Sequence, residues 1–417
     1  MKRQSVLIVG GGAAGSAAAV ALRQLDQDVE VTVVGQEASA PYNRTTVNKG
    51  LLSGAVDETA ITLPDMDVEG IRWRTGVRAV AFDADRRSLQ LEDGITVTAD
   101  SIILATGASP RRLSMPTDEA AANRIVHLRT KSDTLQLRGL LAQGRSKVLI
   151  VGAGLIGSET AGILTLAGHH VTLIDGRPLP LLSYVGQSVA RGVAQAHERA
   201  GVDLRSNTRV TRVKTNGGTD LQVELSGKDL HVKDTVLADV VVVALGVEPD
   251  TAWLESSGVP LHAGGVLVDA HQRVSDHDGI YAAGDIAAVA SPDGRIVRIE
   301  HWGAALAQGR TAAQTIVAAH HGSRPVGEGS TASAASAVPA YSTYVHGTKV
   351  TVVGDARQAA TESAVLGAPG DPRFAFAFLD SEQRIVAGVG VGGARAVNQL
   401  KPLIERQAHH EELEASR

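Results

Sequence analysis

The sequence predicts an α/β protein: two Rossmann-like dinucleotide-binding domains followed by a smaller α+β domain. Three observations carry that prediction. Gly10-x-Gly12-x-x-Gly15 lies within VLIVGGGAAG, and Gly152-x-Gly154-x-x-Gly157 lies within VLIVGAGLIG. Each sits between an apolar β-branched run and a run of small residues, the strand–turn–helix order that a phosphate cradle requires. The two fingerprints start 142 residues apart (152 − 10), about one domain length.

The elements follow in order. Residues 5–9 read as a buried strand, 13–25 as an alanine-rich helix able to lie close to a sheet, and 29–34 as a second strand. That is a βαβ unit built for a parallel sheet. The pattern returns with strands over 147–151 and 170–174 around a helix over 155–167. Strand-forming segments follow each unit, at 88–91, 95–97 and 101–105, then at 210–213, 221–225 and 240–244. Residues 261–268 and 279–282 are later strand candidates, and a helical pattern covers 303–319. Residues 322–338, rich in Gly, Ser, Ala and Pro, read as a linker. Beyond it, strands over 349–353, 373–379 and 385–391 and a helix over 396–407 make the third domain. The second nucleotide unit reads as an insertion, with the chain returning near Gly246 to complete the first domain. The expected division is 1–113 with 246–323, then 114–245, then 324–417.

Composition narrows the chemistry. A chain of 417 residues with 43% hydrophobic and 20% charged residues is long enough for two or three cores. A net charge of −5 argues against global affinity for nucleic acid. There is no cysteine, which excludes a disulfide relay, thiolate-bound zinc and cysteine-ligated iron–sulfur clusters within this sequence. Val6–Val9 is too short for a signal core, and no apolar run reaches transmembrane length, so a soluble, cytoplasmic protein without a membrane partner is expected. The histidine pairs at 169–170, 320–321 and 409–410 do not have metal-ligand spacing, and no metal is expected.

Each fingerprint glycine has a separate task. Gly10 and Gly152 permit the tight turn, Gly12 and Gly154 admit the pyrophosphate, and Gly15 and Gly157 let the helix pack. Ala13 and Ala14, like Leu155 and Ile156, then supply first-turn amides. Asp175 lies 18 residues after Gly157 and Glu37 lies 22 after Gly15, where an acid accepts ribose hydroxyls. A carboxylate at 175 favours NADH over NADPH, although Arg177 could grip a 2′-phosphate. Two nucleotides in a chain without a thiol point to electrons passing between them.

The chain resembles the flavoprotein ferredoxin reductases that serve oxygenases and bacterial cytochromes P450, the putidaredoxin reductase type. The resemblance rests on VLIVGGGAAG, PYNRTTVNKGLLSG, IILATGASPR, VLIVGAGLIGSE, VVVALGVEPD, GIYAAGDIA and RIEHWGAALAQGRTAA, in the family's order over nearly the whole chain. It implies a glutathione-reductase-like architecture with FAD in the first site and NADH in the second. It also implies that Arg44 and Lys49 lie against FAD and that Glu159 pairs with the lysine. Ala105, Thr106, Gly107, Gly284 and Asp285 would line the cofactor, with Val80 and Arg129 beside it, Trp302 near the flavin, and Gly246 at the NAD site. The partner it implies is a [2Fe–2S] ferredoxin, the protein itself being a monomer or homodimer. Arginines at 72, 74, 78, 86, 87, 111 and 112 are either solvated faces or a dock for an acidic carrier.

The chain departs from the family at Thr45, Thr46 and Asn48, where prolines and a serine are usual. It departs again at Ser342-Thr343-Tyr344, in place of a tryptophan–serine–aspartate signature. The second departure bears on the electron acceptor. Two other readings stay open: a flavin enzyme reducing a quinone or oxygen, and a redox-sensing interaction protein resembling apoptosis-inducing factor.

Overall fold

Why Val6–Val9 and Val148–Val151 form strands is plain from their surroundings: every one of these side chains is buried, so both faces of each strand are covered, as central parallel strands require. The computed structural model describes residues 3–114, 117–215, 220–227, 234–290, 294, 296–323 and 338–415. These belong to two compact units. One comprises Met1–Thr45, Glu58–Ser109 and Val247–Ala337; the other comprises Thr46–Asp57, Pro110–Gly246 and Val338–Arg417.

In the first unit a parallel sheet runs in the order Ile280–Ala282, Ser101–Leu104, Ser5–Val9, Glu30–Gly35, Ile71–Thr75. The Ala13–Leu25 helix packs against the Trp302–His320 helix. The approach is close because Gly309 carries no side chain: a Cβ there would stand 2.1 Å from the Ala14 carbonyl oxygen. The expected single strand over 261–268 is instead a hairpin of Leu261–His262 with Gly265–Val268. Ala263 and Gly264 turn it at φ 48° and 79°, the paired positive angles of a two-residue hairpin turn.

The second unit repeats the parallel pattern with Asp203–Arg205, His170–Ile174, Lys147–Val151, Val240–Val243 and Ile125–His127. It also holds an antiparallel sheet in the order Ala340–Val345, Thr348–Gly354, Ile385–Val391, Phe374–Leu379, Thr361–Leu366, backed by the Ala394–Glu405 helix. A helix over Leu182–Arg199 was not expected from sequence. Gly186 interrupts it at φ 72°, and Glu362 accepts the amides of Gln187 (2.7 Å) and Ser188 (3.1 Å) to restart it. Residues 324–337 of the expected linker lie outside the described residues. Among the described residues no helix is long and apolar enough to cross a membrane.

Candidate functional site

The first fingerprint forms a turn that only glycine fits at two points. Gly10 has φ 110°, and a Cβ there would lie 2.2 Å from the Ala105 carbonyl oxygen. A Cβ on Gly15 would lie 1.9 Å from the Gly10 oxygen. Around the Cβ position of Gly12, by contrast, there is nothing within 4 Å. The Ala13–Leu25 helix opens there without a side-chain cap, so its first-turn amides face the open side. Such a cradle fits a pyrophosphate.

Around it, Glu37 accepts a hydrogen bond from the Tyr42 hydroxyl (2.6 Å) and pairs with Arg44, whose guanidinium lies 5.0 Å from the Tyr42 ring centre. Burial opposes the Arg44 charge, but Tyr42, Glu37 and Asp285 outweigh it and raise its pKa. Ala105 continues the sheet by donating its amide to Val9. The Thr106 hydroxyl donates to the Asp250 carbonyl at 3.0 Å, and Gly107 accepts the Asp250 amide at 3.1 Å. Gly284 has φ 84° and donates to the Gln308 side chain at 2.7 Å. Trp302 is half-buried and begins its helix; His301 caps that helix by accepting the Gly303 amide at 3.2 Å. Burial lowers the His301 pKa, against the pull of Asp285. Val80 is exposed. Two neighbours escaped the sequence reading. Gln308 is a lone buried amide in an alanine-rich helix. Trp73 packs against Gly11, and its buried indole nitrogen has no protein partner among the described residues.

The second fingerprint is built the same way. Gly152 has φ 104°, with a Cβ position 2.4 Å from the Ala244 oxygen, and that of Gly157 is 1.8 Å from the Gly152 oxygen. The Gly154 position is open, and the Leu155–Leu166 helix again starts uncapped, with Leu155 and Ile156 half-buried in its first turn. Gly246 has φ 84°, nothing within 4 Å of its Cβ position, and accepts the Arg111 amide. Asp175 is nearly buried and accepts from Ala153 N (2.7 Å), Arg177 N (2.8 Å), and Arg177 Nε and Nη2 (both 3.0 Å). Burial pushes the Asp175 carboxyl up, but these donors outweigh it and hold it below the ordinary range.

Lys49 sits in a π-helical turn, Val47–Leu51, an element often found where a side chain is re-aimed at a functional site. Its Nζ pairs with Glu159 Oε2 at 3.0 Å. Asn48 Nδ2 donates to the same oxygen at 2.7 Å, and the Tyr344 amide donates to Oε1 at 3.0 Å. The Glu159 side chain is 3% exposed against 33% for Lys49, so the acid is enclosed while the ammonium keeps an open side. The Glu159 carboxylate is thus held by a buried ion pair and two hydrogen bonds. Asn48 stands out in sequence only as a departure, and a backbone donor such as Tyr344 leaves no sequence signal. Arg129 donates its amide to Asp133 at 3.1 Å, one residue before Thr130, which with Asp133 forms the capping box of the Lys131–Leu141 helix.

Comparison with known proteins agrees with this geometry. Residues 4–309 match the family model described as pyridine nucleotide-disulphide oxidoreductase. The chain is 34% identical to the ferredoxin–NAD(+) reductase component of the p-cumate 2,3-dioxygenase system of Pseudomonas putida, covering 71% of each chain. It is 32% identical to the corresponding component of the anthranilate 1,2-dioxygenase system of Burkholderia cepacia, covering 76% of this chain and 77% of that one. Its fold is similar to putidaredoxin reductase, solved in covalent complex with putidaredoxin. The TM-score is 0.85 at 26% identity, over 98% of this chain and 94% of that one.

Proposed function

This chain belongs to the pyridine nucleotide-disulphide oxidoreductase family, and on that premise we propose that it is an FAD-dependent NADH:ferredoxin oxidoreductase, passing electrons from NADH through FAD to a [2Fe–2S] ferredoxin that feeds an oxygenase or cytochrome P450. The observation that carries the proposal is the pair of open glycine cradles in a chain without a cysteine. Two dinucleotides can be held, and no thiol of this chain intervenes between them. The relatives named as ferredoxin–NAD(+) reductase components support the same reading.

In this proposal Gly10, Gly12, Ala13, Ala14 and Gly15 hold the FAD pyrophosphate, with Arg44 as its counter-charge and Glu37 toward the ribose. Val80, Ala105, Thr106, Gly107, Arg129, Gly284 and Asp285 complete that site. Gly152, Gly154, Leu155, Ile156 and Gly157 cradle NADH, with Asp175 and Gly246 along it. When bound, FAD supplies hydride acceptance and release of electrons one at a time. The residues have no strong acid–base step to perform. Glu159 fixes where the Lys49 ammonium stands, so that a positive charge is oriented without further reorganisation. Trp302 shields the cofactor ring. The domain division 1–113 with 246–323, 114–245 and 324–417, and a cytoplasmic location, are parts of the same reading.

Ser342-Thr343-Tyr344, in place of the tryptophan–serine–aspartate signature, favours a second reading in which a quinone or oxygen is the acceptor. One assay separates them: NADH-driven cytochrome c reduction with and without a [2Fe–2S] ferredoxin. The main reading expects turnover to depend strongly on ferredoxin. Rapid turnover on quinone or oxygen alone, with no gain from ferredoxin, supports the second and rejects the first.

A further inference from the structure

The acid that should hold the coenzyme ribose is already occupied. An ionised carboxylate offers about four acceptor positions. On Asp175, Oδ1 takes Arg177 N and Nε, and Oδ2 takes Ala153 N and Arg177 Nη2. Arg177 is braced on its other side, where Nη1 donates to the Ser183 hydroxyl at 2.9 Å. A ribose diol can therefore reach Asp175 only by displacing a donor. The two amides belong to the glycine loop and to the turn after the strand, and neither can leave without refolding the backbone. The guanidinium can leave: its side chain is 42% exposed, against 8% for the carboxylate.

What happens to that guanidinium decides the coenzyme. Beside a 2′-hydroxyl it loses its carboxylate partner and gains nothing equivalent. Beside a 2′-phosphate it exchanges one anion for another, in the planar fork geometry that guanidinium and phosphate share. A second guanidinium stands at the same corner. The Cβ position of Gly176, the residue between acid and arginine, is 3.2 Å from Arg209 Nε. Arg209 is exposed, and among the described residues no carboxylate pairs with it. The corner thus carries two guanidiniums against one carboxylate, an excess of positive charge.

We propose that Arg177, supported by Arg209, sets coenzyme selectivity by competing with the ribose for Asp175 and receiving a 2′-phosphate, so that this chain uses NADPH within about tenfold of NADH. The proposal rests on the reading of Gly152–Gly157 as the pyridine-nucleotide site. It reverses the simple rule that an acid at this position excludes NADPH.

The test uses the flavin-loaded protein and two readouts. Calorimetry compares ADP with 2′,5′-ADP, and kcat/KM is measured with NADH and NADPH, for wild type, Arg177→Ala, Arg177→Lys and Arg209→Ala, each checked for an unchanged melting temperature. Arg177→Ala is expected to weaken 2′,5′-ADP about tenfold while ADP binds as well as before or better, widening the NADH preference. Arg177→Lys should fall between it and wild type, and Arg209→Ala should shift the ratio the same way by less. Wild type that discriminates against NADPH by more than about tenfold, or an Arg177→Ala ratio equal to wild type, overturns the proposal. Wild type that binds neither ADP nor 2′,5′-ADP removes the nucleotide site itself, a separate failure visible before any variant is made.

Discussion

At Gly12 the first cradle runs through φ −78° and ψ −163°; at Gly154 the second runs through φ −77° and ψ −167°. The strands before them are equally buried, and the contacts forbidding a side chain at the first and third glycines match within about 0.2 Å, a scale at which packed interiors are sensitive. The side chains around the two loops are unlike. The acid of the first, Glu37, is held by Tyr42 and Arg44 from a later loop, whereas Asp175 is held by its own neighbour Arg177 and by the Ala153 amide. The helix after the first loop is lined with alanines. The helix after the second carries a buried glutamate bound to Lys49, Asn48 and the Tyr344 amide. The cradle is generic, and what distinguishes the two sites was added at the ends of the same elements.

The largest expected effects break one cradle and spare the other. Gly15→Ala forces a Cβ to 1.9 Å from a carbonyl oxygen and should yield protein that no longer retains FAD, while Gly157→Ala, at 1.8 Å, should retain FAD and lose NADH affinity. Each should cost at least about 2 kcal/mol of stability, since the opposing atoms are backbone. Absorbance of the purified variants and NADH titration read the two losses separately; loss of both nucleotides in both variants would contradict two independent sites.

The next effect lies at the element that only the second cradle has. Glu159→Gln should slow NADH-driven flavin reduction by about tenfold or more, read by stopped flow, because the Lys49 charge is no longer fixed. Its melting temperature should fall only modestly, since a half-open ammonium can rehydrate. A variant with wild-type reduction rates would remove the pair from the reaction.

A third effect concerns stability and pH. His197 is buried against His346, with His346 Nε2 and His197 Nδ1 2.9 Å apart, and burial followed by the His346 charge pushes its pKa down to about 3. The unfolded chain binds this proton below pH 6.5 and the folded one does not. Stability is therefore complete above about pH 6.5 and declines as pH falls toward about 3, by up to about 1.4 kcal/mol per unit. Asp175, whose pKa is depressed, adds its own loss only below about pH 4. Denaturant melts between pH 7 and pH 5 should show the histidine slope first. His197→Gln should reduce it, leaving the part due to His127, His169, His301, His320 and His346, whose pKa values burial also lowers.

The smallest stability effect is the sharpest comparison. Gly12→Ala and Gly154→Ala meet nothing within 4 Å and should change stability by less than about 1 kcal/mol, yet each should weaken its own nucleotide. Unaltered affinity in either variant would mean that the open face is not where the pyrophosphate approaches.

Much of this was legible in the chain because it is local. The βαβ units, the fingerprint glycines and the spacing of Asp175 are short-range patterns, and the Ile385–Val391 strand was expected at its observed bounds. What escaped depends on residues distant in sequence. The Leu182–Arg199 helix is restarted by Glu362, 175 positions from Gln187, and its Gly186 kink reads locally as a loop. The Glu159 carboxylate is completed by a backbone amide 185 positions away, which has no residue type to recognise. The turn at Ala263 needed a positive φ at an alanine, where sequence preference favours continuing the strand. Arg177 was visible as a base beside an acid, but its occupation of both Asp175 oxygens is a matter of geometry.

The most direct measurement is an anaerobic titration of the purified protein with NADH, followed by absorbance. The account predicts yellow protein carrying one FAD per chain, bleached by a stoichiometric amount of NADH and restored by oxidised [2Fe–2S] ferredoxin. Folded protein that takes up no FAD, or whose bound FAD stays oxidised in excess NADH, would contradict it.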